Sequence, residues 1–267
     1  MFQHHTRYRI PLGLCFMLMV GCSQAENANT PPANTPPANL PPAVKALEDQ
    51  GLTVMTEFDA GKEVRAFAAV AGDQPIAAYL TKDGHVIVGT RLDAKGDRID
   101  DAKLQELVAK PMGDRAWAQL ESSTWVLDGK ADAPRVIYTF SDANCPYCHR
   151  FWEAARPWVD AGKVQLRHVQ VGIISQDSPN KAAAILGAPD RSAALLENEN
   201  KFDRGGITPA KTVPADVRKI LEDHQMLMLT LGFRGTPGIV VRDESGALKK
   251  YNGMPRPEAM AEVLGPR

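Results

Sequence analysis

Val136-Ile137-Tyr138-Thr139-Phe140-Ser141-Asp142-Ala143-Asn144-Cys145-Pro146-Tyr147-Cys148 is the stretch on which the reading of this chain turns. It opens as a β-branched and aromatic run of strand character and ends in two thiols separated by two residues. Pro146 suits the first turn of a helix, where its missing N–H has no intrahelical partner to lose. The pattern predicts a strand, a sharp turn and a helix running from Pro146 toward Ala161. A second strand follows over Val164 to Val171, which completes a β-α-β unit with both cysteines at the helix N-terminus.

That position has chemical consequences. Free amides and the positive end of the helix favour a thiolate at Cys145, which makes it the attacking sulfur. Cys148, one turn further in, keeps its proton more readily and is placed to resolve a mixed disulfide. Pro146 and Tyr147 between them tune helix-start geometry and access, and Tyr147 can equally be a packing residue. Thr236-Pro237, just before the strand Gly238 to Arg242, is a second candidate: a cis proline there sets its backbone against the cysteines, whereas a trans one is an ordinary strand entry.

Two other uses of the motif compete. Structural zinc needs four ligands, and outside the first 25 residues the chain offers no second cysteine pair, only His85, His149, His168 and His224, so no metal is expected. Cys145 to His149 also spells the Cys-x-x-Cys-His haem attachment signature; the strand-turn-helix context argues instead for a dithiol without cofactor.

The rest of the 267 residues frames this centre. His4, His5, Arg7 and Arg9 precede a short apolar stretch from Ile10 to Val20, too short for the roughly 20 residues of a membrane span, and read with residues 1–25 as an export signal. Two processing routes are open: ordinary cleavage near Ser23-Gln24-Ala25, or a lipobox ending at Cys22 that would anchor the protein through lipid. Either leaves Cys145 and Cys148 as the free thiols of an exported protein, too few for a disulfide-stapled scaffold. A formal net charge of -1, with no basic run, gives no support to nucleic-acid binding.

Residues 26–42 are a Pro- and Asn-rich tether with the near-repeat Thr30-Pro31-Pro32-Ala33-Asn34 and Thr35-Pro36-Pro37-Ala38-Asn39. Residues 43–100 form a small α+β domain: a short helix, the strands Leu52 to Phe58, Val64 to Ala71 and Gln74 to Leu80, and a turn at Asp83-Gly84 into a last strand. Its size is marginal for an independent core, so burial against a partner copy is expected. Residues 101–128 read as a helical linker broken at Pro111 and Gly113. Residues 129–267 carry the β-α-β unit, a helical insertion over about 178–231, two further strands and a final helix.

Val44-Lys45-Ala46-Leu47-Glu48, Phe58-Asp59-Ala60, Leu127-Asp128-Gly129-Lys130, Phe140 to Cys148 and Ala182-Ala183-Ala184-Ile185-Leu186 together resemble the DsbC/DsbG family of periplasmic thiol:disulfide interchange proteins. The Pro-Tyr dipeptide looks more like the DsbG branch than the DsbC branch, whose usual dipeptide is Gly-Tyr. The resemblance implies an α/β thioredoxin-like fold with a helical insertion, preceded by a small α+β dimerisation domain and a helical linker. It implies Cys145 as nucleophile, Cys148 as resolving thiol and Thr236-Pro237 as the Thr-cis-Pro pair opposite them. It further implies a periplasmic homodimer that acts as reductase or isomerase on misoxidised and unfolded proteins, reduces sulfenylated cysteines, binds clients in a chaperone-like way and draws electrons from a membrane donor of the DsbD type. A dithiol oxidase, a non-enzymatic chaperone and a c-type haem protein are the alternatives.

Overall fold

The computed structural model describes residues 39–266. The expected signal, with Cys15 and Cys22, and the tether up to residue 38 lie outside the described residues. Pro42, assigned to the tether from sequence, already opens α1 (Pro42–Asp49), where a proline costs nothing at the first turn. Gly51 ends this helix at φ 90°, a conformation other residues adopt only with strain.

The first sheet joins β1 (Leu52–Phe58), β2 (Arg65–Ala71), β3 (Gln74–Leu80) and β4 (Val86–Gly89), antiparallel throughout and in chain order. Both faces of β2 are buried, which explains its run of small residues in Arg65-Ala66-Phe67-Ala68-Ala69-Val70-Ala71. Val44 and Leu47 of α1 cover Val54, Phe67, Ala69 and Ala78 on one face. Leu104, Leu107, Val108 and Met112 of the linker cover Phe58, Ala66, Ala68, Val70, Ala77 and Tyr79 on the other. The small domain therefore borrows half of its core from the linker.

The linker is not broken. α2 (Asp101–Leu104) passes through a π-helical turn (Gln105–Ala109) directly into α3 (Lys110–Ser122). The Lys110 N–H reaches back to the Gln105 carbonyl, a five-residue step that widens the helix where Pro111 lacks an amide. Gly113 is equally at home inside the helix, because a Cβ there would lie 3.2 Å from the Leu248 side chain. The linker also ends sooner than the expected 128: β5 (Val126–Asp128) is an edge strand of the second sheet. Three residues are too few to print a strand period.

The second sheet has the order β5-β7-β6-β8-β9, formed with β6 (Arg135–Asp142), β7 (Val164–Val171), β8 (Gly238–Arg242) and β9 (Leu248–Asn252). β6 and β7 are parallel, crossed by α4 (Pro146–Asp160); the remaining pairs are antiparallel. Phe151, Ala155, Trp158 and Val159 of α4 join Val263 and Leu264 of α8 (Pro257–Leu264) over Ile137, Leu166, Ile239 and Val241. Ala116 and Leu120 of α3, with Met228 of α7 (Ala215–Thr230) and Leu231 just after it, cover Tyr138, Phe140, Val169 and Val240 on the opposite face. Full burial of such side chains contributes about 1.5–3 kcal/mol each, so the sheet that carries the cysteines is clamped from both sides.

The insertion places α5 (Ser178–Leu186), α6 (Arg191–Asn200) and the start of α7 around their own core of Ala182, Ile185, Leu186, Leu195, Val217 and Leu221. Val126 and Ala143 belong to the same core, which ties it to the edge strand and to the loop before Cys145.

Candidate active site

Cys145 is the N-cap of α4 and Pro146 its first residue. The Cys145 sulfur accepts the Cys148 amide at 3.1 Å, in the place of the usual serine or aspartate cap oxygen. Both cysteines are free thiols. Whole-residue exposure, 2 % for Cys145 and 6 % for Cys148, does not distinguish them; hydrogen bonding does.

A hydrogen bond from Cys148 draws the Cys145 pKa down to about 7, against the opposing effect of burial, with further help from Thr236 and the Cys148 and Tyr147 amides. Burial first, and then the neighbouring Cys145 sulfur, push the Cys148 thiol well above its ordinary value. One proton is thus shared unequally between two sulfurs: Cys148 keeps it and Cys145 is left as the nucleophile.

The Thr236–Pro237 peptide is cis and lies across from the dithiol, with the Cys145 thiol 3.5 Å from the Thr236 carbonyl. Phe233, fully buried against Phe140, anchors this loop, and Gly238 leaves room for its ring, since a Cβ would lie 2.8 Å from it. Tyr147 points outward at 54 % exposure under the Arg150 guanidinium. Ile173 and Ile174 are also exposed, on the loop after β7.

Several residues that hold the site escaped the sequence reading. Asp142 caps the turn into the dithiol: Oδ1 accepts from the Asn144 amide and the Ser178 hydroxyl, Oδ2 from the Ile173 and Ile174 amides, all within 3.0 Å. The Asx turn in Asp142-Ala143-Asn144 was the available signal. Asn198 donates to the Ala143 carbonyl at 3.1 Å, and Gly206, at φ 71°, makes space for its side chain. Glu199, next along α6, meets His149 Nδ1 at 2.8 Å. His149 is stacked between Phe202 and Trp152, with ring centroids 4.3 and 5.7 Å away. This histidine of the haem-like signature is committed to Glu199 and two rings, which does not fit an iron ligand. Among the described residues no group of three or more His, Cys, Asp or Glu could hold a metal ion.

Comparison with known proteins agrees with this geometry. The thioredoxin-like domain family matches residues 128–266. The thiol:disulfide interchange protein DsbG of Pseudomonas aeruginosa is 44 % identical over 225 residues, 84 % of this chain and 88 % of that protein. This chain belongs to the DsbC/DsbG family. The family's Escherichia coli K12 DsbG is 37 % identical over 83 % of this chain and 90 % of its own length, and the DsbC of the same strain is 28 % identical over 70 % and 72 %. Membership makes the chain a periplasmic thiol-disulfide reductase/isomerase with a thioredoxin-like fold. No helix among the described residues is long and apolar enough to cross a membrane.

Proposed function

We propose that Cys145 and Cys148 carry the exchange chemistry, with Cys145 as nucleophile. The unequal division of the proton between the two sulfurs is the observation that supports this most directly. The Cys145 thiolate attacks one sulfur of a client disulfide; a Cys145–client disulfide forms and the other client sulfur leaves as a thiolate. That thiolate can attack another disulfide of the client; the sulfur displaced there then attacks the mixed disulfide and releases the Cys145 thiolate, so the client is re-paired with no net electron transfer, which is isomerisation. Alternatively Cys148 gives up its proton and attacks Cys145, so that the client gains two electrons and the Cys145–Cys148 disulfide forms. With a sulfenylated client, Cys145 attacks the oxidised sulfur, hydroxide leaves and takes a proton to become water, and Cys148 completes the reduction.

Pro146, Tyr147, Thr236 and Pro237 tune access and geometry around this pair. Net reduction consumes electrons, which a membrane donor of the DsbD type would resupply. Unfolded or misoxidised periplasmic proteins are the clients, held in a chaperone-like way by apolar rim residues such as Tyr147, Ile173 and Ile174. The small domain, residues 43–100, serves as a homodimerisation module: β4 is an unpaired edge with Ile87 and Val88 exposed at 59 % and 38 %. Residues 129–267 are the catalytic domain, and Cys22 is the site of lipid attachment if the lipobox is used.

Trapping separates the roles. Incubated with a scrambled-disulfide protein, Cys148→Ser accumulates a mixed disulfide resolvable on a non-reducing gel, while Cys145→Ser accumulates none. The reverse result would exchange the roles of the two cysteines.

A further inference from the structure

The loop that precedes Cys145 is held by a buried cation the exchange steps do not use. Lys181, on α5, is 6 % exposed. Its Nζ donates to Asn144 Oδ1 at 2.6 Å and to the Gly205 carbonyl at 2.7 Å, and lies 3.6 Å from Asp177 Oδ2. Asn144 is the residue immediately before Cys145. Its own amide group donates to Asp177 Oδ1 at 3.0 Å and Ser178 Oγ at 2.9 Å, and its backbone N–H to Asp142.

Burying an ammonium is costly unless a well-placed carboxylate repays it. Lys181 has two neutral oxygens and one half-exposed carboxylate at salt-bridge range. A neutral donor would satisfy Asn144 as well without that cost. What only the lysine provides is charge. The carboxylate nearest along the chain, Asp142, is 2 % exposed, stands three residues before Cys145 and accepts the Asn144 backbone N–H, so the loop that leads to the sulfur carries a buried carboxylate. Lys181, from α5, donates to the side chain of Asn144, whose backbone N–H is bound to Asp142. His149, next to Cys148 on α4, is paired with Glu199 of α6, and Asp177 is the carboxylate beside the lysine.

We propose that Lys181 is a positioning residue for thiol exchange: through Asn144 it fixes the approach to Cys145, and its buried charge offsets Asp142 so that the thiolate, and with it the reduced dithiol, is favoured. No new bond or electron transfer is involved; the balance between the known forms moves.

The test compares Lys181→Met, which keeps the stem and loses charge and hydrogen bonds, with Lys181→Gln, which keeps a donor without charge, and Lys181→Arg, which keeps the charge. Ultraviolet thiolate absorbance against pH and the equilibrium with glutathione are read on the folded full chain, folding being checked by circular dichroism. Met and Gln should raise the Cys145 pKa by about one unit and shift the glutathione equilibrium toward the disulfide, by about twofold at pH 7 and by about tenfold at pH 9, with Arg close to the parent protein. Met or Gln values equal to the parent's, or an Arg variant shifted as far as Gln, would overturn the proposal. Should Met fail to fold, Gln against Arg decides it alone. The inference rests on Cys145 being the attacking thiolate. A parent protein with no thiol titrating near 7 would sink that reading first, whereas a parent value near 7 that Lys181 variants leave in place sinks only the role of the lysine.

Discussion

The two sheets are built on opposite principles. The first, β1 to β4, pairs each strand with its neighbour in sequence, so every connection is a local turn, and it finishes at an exposed edge. The second draws its strands from residues as far apart as Val126 and Asn252, and its central strands β6 and β7 are buried on both faces. A sheet with a free apolar edge can still gain by pairing; one buried on both faces can only support what stands on its rim. With β4 as the proposed dimer edge, assembly and chemistry fall on separate surfaces.

Substitutions that strike one sheet should leave the other's property alone. Cys145→Ser should lower disulfide exchange by several orders of magnitude, since no second thiolate replaces it, and leave the mass in sedimentation unchanged. Ile87→Arg on β4 should do the reverse: the particle should halve in mass while the glutathione equilibrium holds. Loss of redox activity together with dimer dissociation in either variant would break the separation.

Stability sharpens it next. Phe140→Ala removes a fully buried ring between α3, α7 and the Phe233 anchor, and should cost about 3–5 kcal/mol in denaturant unfolding. Val88→Ser, at a site 38 % exposed, should cost under about 1 kcal/mol in the same assay, measured below the dimer dissociation constant. A smaller effect moves with pH. The Cys145 pKa is depressed to about 7 in the folded, reduced protein and reverts toward the ordinary thiol value of 9.0 on unfolding. Its contribution is therefore fully present above 9, and is lost as pH falls through 7. Between those values the reduced protein should gain stability with rising pH, and the Cys145→Ser variant should lose that slope.

The sequence carried the dithiol, its strand and helix, and the consecutive hairpins of the first sheet, because each of those depends on residues within about ten positions of one another. The π turn was hidden by Pro111, which breaks an ordinary helix but is absorbed by the Lys110 to Gln105 hydrogen bond. Lys181, Asn198 and Glu199 were hidden for a different reason: their partners around Cys145 lie 37 to 55 residues away, and only the folded insertion brings them there. Lys181 in an alanine-rich helix reads as a solvent-facing residue until that helix is seen to press against Asn144.

Among the described residues one ion pair, Lys250–Asp73, joins the two sheets, and it offers the finest test. Lys250 on β9 donates to Asp73, in the turn between β2 and β3, at 2.6 Å and to the Leu231 carbonyl at 3.1 Å. The Lys250 hydrogen bond, aided by Gln74, holds the Asp73 carboxyl below its usual range. A depressed carboxyl contributes stability above its unfolded pKa and loses it as pH falls through the folded one, so this contribution vanishes on acidification. Asp73 is 41 % exposed, which leaves the contact open to solvent and salt, and Asp73→Asn should cost no more than about 1 kcal/mol at neutral pH. The cost should shrink toward zero in acid and in high salt. A loss that persisted under both conditions would mean that the side chain packs the joint between the sheets rather than pairing across it.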